Sequence, residues 1–295
     1  MIKRIKRQLV LLRNTILYHK WNFFAKKNQS KFQTNAKTDF IVSIASYPKR
    51  AHLLPAVFEA LNKQTLVPQK WILVLSEEEW PNLTLPSYLN KLIKRGLEIV
   101  WVKNNTYAVK KFMPVAEKYS NLAIVTLDDD IIYHPSLLRG LVKQAEIEKM
   151  AVIGYVGKAI LKKDKELHLH YREKDAASIT TPSEQVYLIG WGGIYYPPHS
   201  LDEKVLNMEA VHKIVPGRGS DFWFWAAAHA KNTKQVCLGI PKDYNLGIPI
   251  PQNEMTKPKD QPEGDVVPNR FQMAVDYFGI REKLLRILPD ENGAK

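Results

Sequence analysis

Asp128, Asp129 and Asp130 stand side by side in "TLDDDIIYHP" (residues 126–135), directly after an apolar run. Three adjacent carboxylates repel one another unless water, hydrogen-bond donors or a cation offsets their charge. Oxygen ligands in such close array suit a hard divalent cation such as Mg2+ or Mn2+. A solvated acidic turn would give the same string. The apolar flanks favour the metal site, because surface turns rarely sit between two apolar runs. A fourth carboxylate, Asp221, lies in the aromatic stretch "GSDFWFW" (219–225). Desolvation there would raise its pKa, which suits a general base. A helix N-cap or first-turn acid would look the same.

Two further features could place a ligand near these acids. In "GWGGIYYPP" (190–198), Gly192 and Gly193 remove side chains where the backbone must approach something closely, or they mark a bend in a strand. Trp191 offers a flat face for stacking a sugar or base, or a core side chain. If residues 220–232 are helical, Trp225 lies one turn beyond Asp221 on the same face, while Phe222, Trp223 and Phe224 read as core. His168 and His170 share a strand face without a further ligand nearby, and an exposed strand is the better reading. Lys110 and Lys111 could meet phosphates, or could be a solvated helix face.

The elements that must position these residues alternate. "DFIVSIASYP" reads as a strand running into a turn, "LLPAVFEALNKQT" as an amphipathic helix, and "KWILVLS" as a buried strand. "SYLNKLIKRG" follows as a helix ended by Gly96, then "LEIVWV" as a strand. "VKKFMPVAEKYS" is a helix that Pro114 breaks or starts, and "NLAIVTL" is a strand with the aspartates at its end. This alternation predicts an α/β fold with a mostly parallel, Rossmann-like sheet and covering helices. Ligands of such sheets collect at the carboxyl ends of strands, where both "SYPKR" and "DDD" lie. After residue 150 the pattern loosens. Strands are expected near 150–161, 166–175 and 184–198, a helix at 220–232, a long proline-rich loop from Pro241 to Asn269, and one or two closing helices. The expected division is 1–37 as a basic arm, 38–150 and 151–280 as two halves, and 281–295 as a tail.

Composition narrows the classes. The 295 residues, 45% hydrophobic and 25% charged, suffice for a full core. The single cysteine, Cys237, excludes an intramolecular disulfide and fits a reducing cytosol. The net charge of +13 is unevenly spread: residues 1–38 hold ten Lys or Arg and no acid, leaving 33 basic against 30 acidic residues elsewhere. A near-neutral body offers no broad phosphate track, so no nucleic-acid partner is expected. In the arm, Ile2, Ile5, Leu9, Leu12 and Ile16 recur at helical spacing among basic residues. The longest strictly apolar stretch, "LVLL", is far short of the ~20 residues of a spanning helix. A basic amphipathic helix on an anionic membrane, through residues 1–27, and a helix docked on the protein's own core are both open.

Taken in order, "SIASYPKR", "LNKQTLVPQKWILVLSEEEWP", "GLEIVWV", "TLDDDIIYHPSLL", "GWGGIYYPPHSL" and "SDFWFWAAA" resemble a bacterial glycosyltransferase family of the GT-A fold, related to glycosyltransferase family 2. The stretches span most of residues 40–230, and the ordered set is far more specific than any member. The resemblance implies a nucleotide-sugar donor, with a UDP-sugar favoured, and a glycan or glycolipid acceptor. It implies a nucleotide-sugar-binding first half, 38–150, and a second half, 151–280, carrying the acceptor site and catalytic base. It implies that Asp128 and Asp130 form a DXD motif binding Mn2+ or Mg2+, with Asp130 as direct ligand and Asp128 or Asp129 facing the ribose or donor sugar. Tyr47, Pro48 and Arg50 match the family's first loop near the nucleotide, and Lys111 a lysine near the donor. Asp221 matches the catalytic base of inverting members. Trp191, Gly192, Gly193 and Trp225 would lie toward sugar or acceptor. Two departures stand out. Ser220 replaces a second acid before the base, and no histidine follows His229 to serve as a third metal ligand, leaving Asp243, Asn245 or Asp265 as substitutes. The implied setting is the cytosol, peripheral at the inner membrane face. A sugar-phosphate nucleotidyltransferase would need the metal but not the base. A non-catalytic membrane- or nucleic-acid-binding protein would rest on the arm alone.

Overall fold

The computed structural model describes residues 2–163, 166–169, 179–217, 219–252 and 267–290. The alternation read from the sequence is present. β1 (Phe40–Ala45) leads to α2 (Leu54–Leu61), β2 (Trp71–Ser76), α3 (Ser87–Lys94) and β3 (Glu98–Val102), all preceded by helix α1 (Ile2–Lys27). Gly96 ends α3 with a φ of 109°, a left-handed conformation that glycine adopts without strain. The predicted helix around Pro114 is two pieces. A 3-10 turn covers Tyr107–Lys111, and Pro114 sits in the first turn of α4 (Met113–Lys118), where its missing N–H costs nothing. β4 (Ala123–Leu127) follows and ends at the aspartates.

β4, β1, β2 and β3 pair in parallel, in that spatial order. On the other side of β4, β10 (Ile194–Tyr196) runs antiparallel to it and to β6 (Val152–Gly154), which pairs in parallel with β11 (Gln235–Cys237). The result is a seven-stranded, mostly parallel sheet that continues across residue 150. The stretch 150–161 divides, with β6 in this sheet and β7 (Gly157–Lys163) in a three-stranded sheet between β8 (Glu166–Leu169) and β9 (Val186–Leu188). Likewise 184–198 gives β9 and β10 in different sheets, with a 3-10 turn at Gly190–Gly192 between them.

Period-two alternation sends β1 residues to both faces. Phe40, Val42 and Ile44 pack with α2, α3 and α5 (Leu137–Ile147); Ile41 packs with α4, α6 (Met208–Ile214) and α7 (Ser220–Ala230). Helices α8 (Val267–Phe278) and α9 (Arg281–Ile287) close the second layer, where Ala274, Val275 and Leu284 are fully buried. The segment after α1 is tied down by a buried ion pair, Arg95 to Glu59 at 2.8 Å, with Asn28 donating to Glu59 at 2.7 Å. Within the long 241–269 stretch, Gly247–Pro249 form a short strand, β12, antiparallel to β5 (Ile131–Tyr133). The aspartate turn is therefore held between β4 and a strand whose partner lies more than a hundred residues away.

Candidate active site

The first three carboxylates part company once the turn folds. Ile250 donates its N–H to the Asp130 carbonyl at 2.8 Å, and the Asp128 N–H donates to the Tyr133 hydroxyl at 2.9 Å, so the backbone is pinned at both ends. Asp129 is buried and turns toward the end of β1. It accepts from Ser46 Oγ at 2.6 Å and from an Arg50 Nη1 at 3.0 Å. The same Arg50 nitrogen lies 3.3 Å from Asp130 Oδ2, which also accepts from the Gln252 side-chain amide. Asp128 turns the other way, to Lys111 Nζ at 2.9 Å.

Lys111 pairs with this turn and also feels the charge of Asp221. It is buried at the end of the 3-10 turn before α4. Burial pulls its ammonium down, yet the charges of Asp128 and Asp221 leave it above its ordinary value. Asp221 is the second residue of α7, and Gly190 donates its backbone N–H to Oδ2 at 3.0 Å. Ser220 Oγ lies 3.4 Å from Oδ1. Close packing around that carboxylate explains Gly190: a Cβ there would come within 2.7 Å of Asp221 Oδ1 and 3.4 Å of Lys111 Nζ. Burial raises the Asp221 pKa, and Lys111 and the Gly190 N–H partly restore the ionised form.

These groups line one cleft of about 560 Å³ at the carboxyl ends of β1 and β4. Ser46, Tyr47, Arg50, Lys111, all three aspartates and Asp221 contribute to its wall. Tyr47 lies under the Arg50 guanidinium, 5.6 Å from ring centroid to carbon. Lys110, Glu79 and Asn105 form a second hydrogen-bonded group on the same wall, with burial lowering the Lys110 pKa.

Other residues singled out from the sequence do not line the cleft. Pro48 is exposed beside it. Gly192 and Gly193 are buried; a Cβ would meet Val156 at 2.7 Å and Leu127 at 3.0 Å respectively, so they allow the chain to pass against the core. Trp191 is half-buried against the same core. Trp225 is buried one turn deeper than Asp221. Its indole N–H donates to the Val186 carbonyl at 3.1 Å, and its ring stacks on Phe271. Asp243 and Asn245 are exposed and away from the cleft wall, and Asp265 and His170 fall outside the described residues. His168 faces Glu166 at 3.9 Å on β8. Sequence reading missed Gly190 and Gln252. The first stood two residues before the glycine pair it chose, whereas the second carried no local signal.

Of the four carboxylates in this cluster, three are paired with two cations, Asp129 and Asp130 with Arg50 and Asp128 with Lys111. Burial, and then the charge of Asp129, raise the Asp130 pKa to about 6. This uncompensated negative charge and the hard oxygen donors fit a divalent cation. Among the described residues, no three His, Cys, Asp or Glu side chains converge to enclose one. An ion of the Mg2+ type is commonly held by one or two carboxylates and by substrate phosphates rather than by an all-protein cage.

No protein-family model and no curated protein matches the sequence. Among solved structures, the chain is similar to S. aureus TarS 1–349, with a TM-score of 0.46 and 13% identity, covering 71% of this chain and 60% of that one. The same TarS fragment in complex with UDP gives a TM-score of 0.47 and 13% identity, with the same coverage. The mannosyltransferase PcManGT from Pyrobaculum calidifontis, in complex with GDP-Man and Mn2+, gives 0.44 and 10%, covering 79% of this chain and 68% of that one. The chain thus spans 60% of the length of the TarS fragment. Likeness at this level assigns no role to any residue.

Proposed function

We propose that the protein is a metal-dependent, inverting glycosyltransferase. It would move a sugar from a nucleoside diphosphate donor, a UDP-sugar by preference, to a glycan or glycolipid acceptor in surface polysaccharide or lipooligosaccharide synthesis. The reading includes a cytosolic location, peripheral at the inner membrane face. The observation that carries it is the presence, in one cleft, of an acidic turn and a separately held carboxylate, Asp221, with Lys111 paired to the turn and feeling the Asp221 charge.

In this reading Asp221 takes the proton of the acceptor hydroxyl as that oxygen bonds to the anomeric carbon. The bond from that carbon to the diphosphate oxygen breaks in the same step, and the nucleoside diphosphate leaves with its electron pair. Lys111, the Gly190 N–H and Ser220 keep the Asp221 carboxylate ionised and aimed. Asp130 and Asp128 would hold Mn2+ or Mg2+, which when bound neutralises the diphosphate as a Lewis acid. Arg50 ties Asp129 and Asp130 to the loop after β1, where Tyr47 supplies an aromatic face for the nucleoside.

Gly190 gives an internal check on this geometry. Gly190→Ala is expected to push the Asp221 carboxylate aside and lower turnover by roughly 10²-fold, the usual cost of misplacing a reacting group by about 1 Å. Nucleotide binding at the acidic turn should persist. Equal turnover of the variant and the parent protein would show that Asp221 is not held where the chemistry needs it.

The function is tested by thermal-shift measurements with nucleoside diphosphates and nucleotide-sugars, with and without Mn2+, followed by mass spectrometry of products. Metal-dependent stabilisation by a nucleoside diphosphate, and its release during turnover, is the expected result. Release of pyrophosphate would instead make the protein a nucleotidyltransferase. Absence of any metal-dependent shift would remove the proposal.

A further inference from the structure

Five of the eight exposed large apolar residues described in α1 gather on one side, with Val10, Leu11 and Phe24 outside it. At 100° per residue, Asn14, Tyr18 and Trp21 share one edge, and this is the edge that meets the body. Asn14 is buried and donates to the Pro249 carbonyl at 3.0 Å, while Tyr18 and Trp21 pack on the core beside α2. Ile5, Leu9, Leu12, Ile16 and Phe23 fall within a sector of about 60° on the opposite side. Their exposure lies between 48% and 59%. A helix held only by its own core would turn this stripe inward; here it faces away.

The charges match the stripe. The helix carries eight Lys or Arg and no Asp or Glu. Arg13 and Lys20 border the stripe on one side and Lys26 on the other, and every residue from Arg4 to Arg13 is exposed. Among the described residues no helix is long and apolar enough to cross a membrane. An exposed apolar stripe with basic borders, on a helix not apolar enough to span, lies flat in an interface.

We propose that this outward face of α1 is a docking surface for an anionic lipid leaflet. The stripe would enter the acyl boundary and the basic borders would meet headgroup phosphates. Charge selects this occupant over a second copy of the chain. Two such faces would bring sixteen positive charges together with no acid from either helix to pair them, whereas an acidic leaflet supplies the complement. The inference gives a surface to the peripheral location named above, and it stands independently of the chemistry in the cleft.

The test is co-sedimentation of the full chain with vesicles of phosphatidylglycerol and phosphatidylcholine, against phosphatidylcholine alone, at low and high salt. Binding to the anionic vesicles that weakens with salt is expected. The triple variant Leu9→Ser, Leu12→Ser, Ile16→Ser should bind them roughly tenfold or more weakly. Replacing Lys20 and Lys26, which border the stripe, by Gln should cost roughly fivefold per charge on anionic vesicles. All five positions are exposed, so helical content and nucleotide binding should be unchanged in both variants. A parent protein that stays in the supernatant, or a triple variant that binds as well as the parent, would overturn the inference. So would a concentration-dependent dimer that the triple variant abolishes, since the stripe would then belong to a second copy.

Discussion

Asp221→Asn is expected to keep Mn2+-dependent nucleotide binding and to lose sugar transfer by roughly 10²- to 10⁴-fold, the range attributed to a positioned proton acceptor. The substitution is nearly isosteric. The amide oxygen can still accept the Gly190 N–H, so the turn at Gly190–Gly192 has no reason to move. Lys111 loses the attraction of the Asp221 charge but keeps Asp128 at 2.9 Å, which leaves the acidic turn on the donor side intact. What disappears is the ability to take a proton. Calorimetry of UDP binding in the presence of Mn2+, set beside product formation measured by mass spectrometry, separates the two quantities. Parallel loss of both would make Asp221 a structural support. Normal turnover would exclude it from the mechanism.

The second large effect concerns Asp130. Asp130→Asn is expected to weaken Mn2+ binding by more than the roughly 10–100-fold that outer-shell changes cost. The pH dependence carries a signature of the same residue. Its folded pKa, about 6, is above the ordinary 3.8, first through burial and then through Asp129. A carboxyl with a raised pKa favours the folded state while protonated, so its contribution is full below the ordinary value and is lost as pH rises through about 6. Asp129 and Asp221 shift in the same direction, again through burial. The metal-free protein should therefore lose stability from this cluster as the pH climbs through that window. Mn2+ binds the deprotonated form, so its stabilising effect should grow over the same interval and fade below it by roughly tenfold in affinity per pH unit for one displaced proton. Melting curves with and without Mn2+ across this range test both arms. A pH-independent metal effect, or one retained in Asp130→Asn, would place the cation elsewhere.

How much of this was legible beforehand follows from the range of each signal. The run from β1 to β4 could be read because each strand is a short apolar block bounded by its own turn residues, with Gly96 and Pro114 marking helix ends. The strand-end position of the aspartates came with it. The pairing of β5 with β12 could not be read, since Ile131–Tyr133 and Gly247–Pro249 are three residues each and carry no local mark of their partner. Gln252 reaches Asp130 only through that pairing. Trp225 shows the opposite difficulty. Helical spacing correctly put it one turn beyond Asp221, but α7 is buried on almost every side, so a shared face did not mean a shared cleft. In the arm, spacing showed the stripe, while only the packing of Asn14, Tyr18 and Trp21 reveals which way it points.

That packing affects any effort to shorten the chain. Asn14 holds the carbonyl of Pro249, the next residue donates its N–H to the Asp130 backbone, and Gln252 caps the Asp130 side chain. A shortened protein lacking α1 would lose a support of the acidic turn along with its exposed apolar surface. Reduced activity in such a protein would then be ambiguous between a missing address and a loosened centre. Point changes on the outward stripe keep the brace in place, and they are the cleaner way to ask where the protein works without altering what it does.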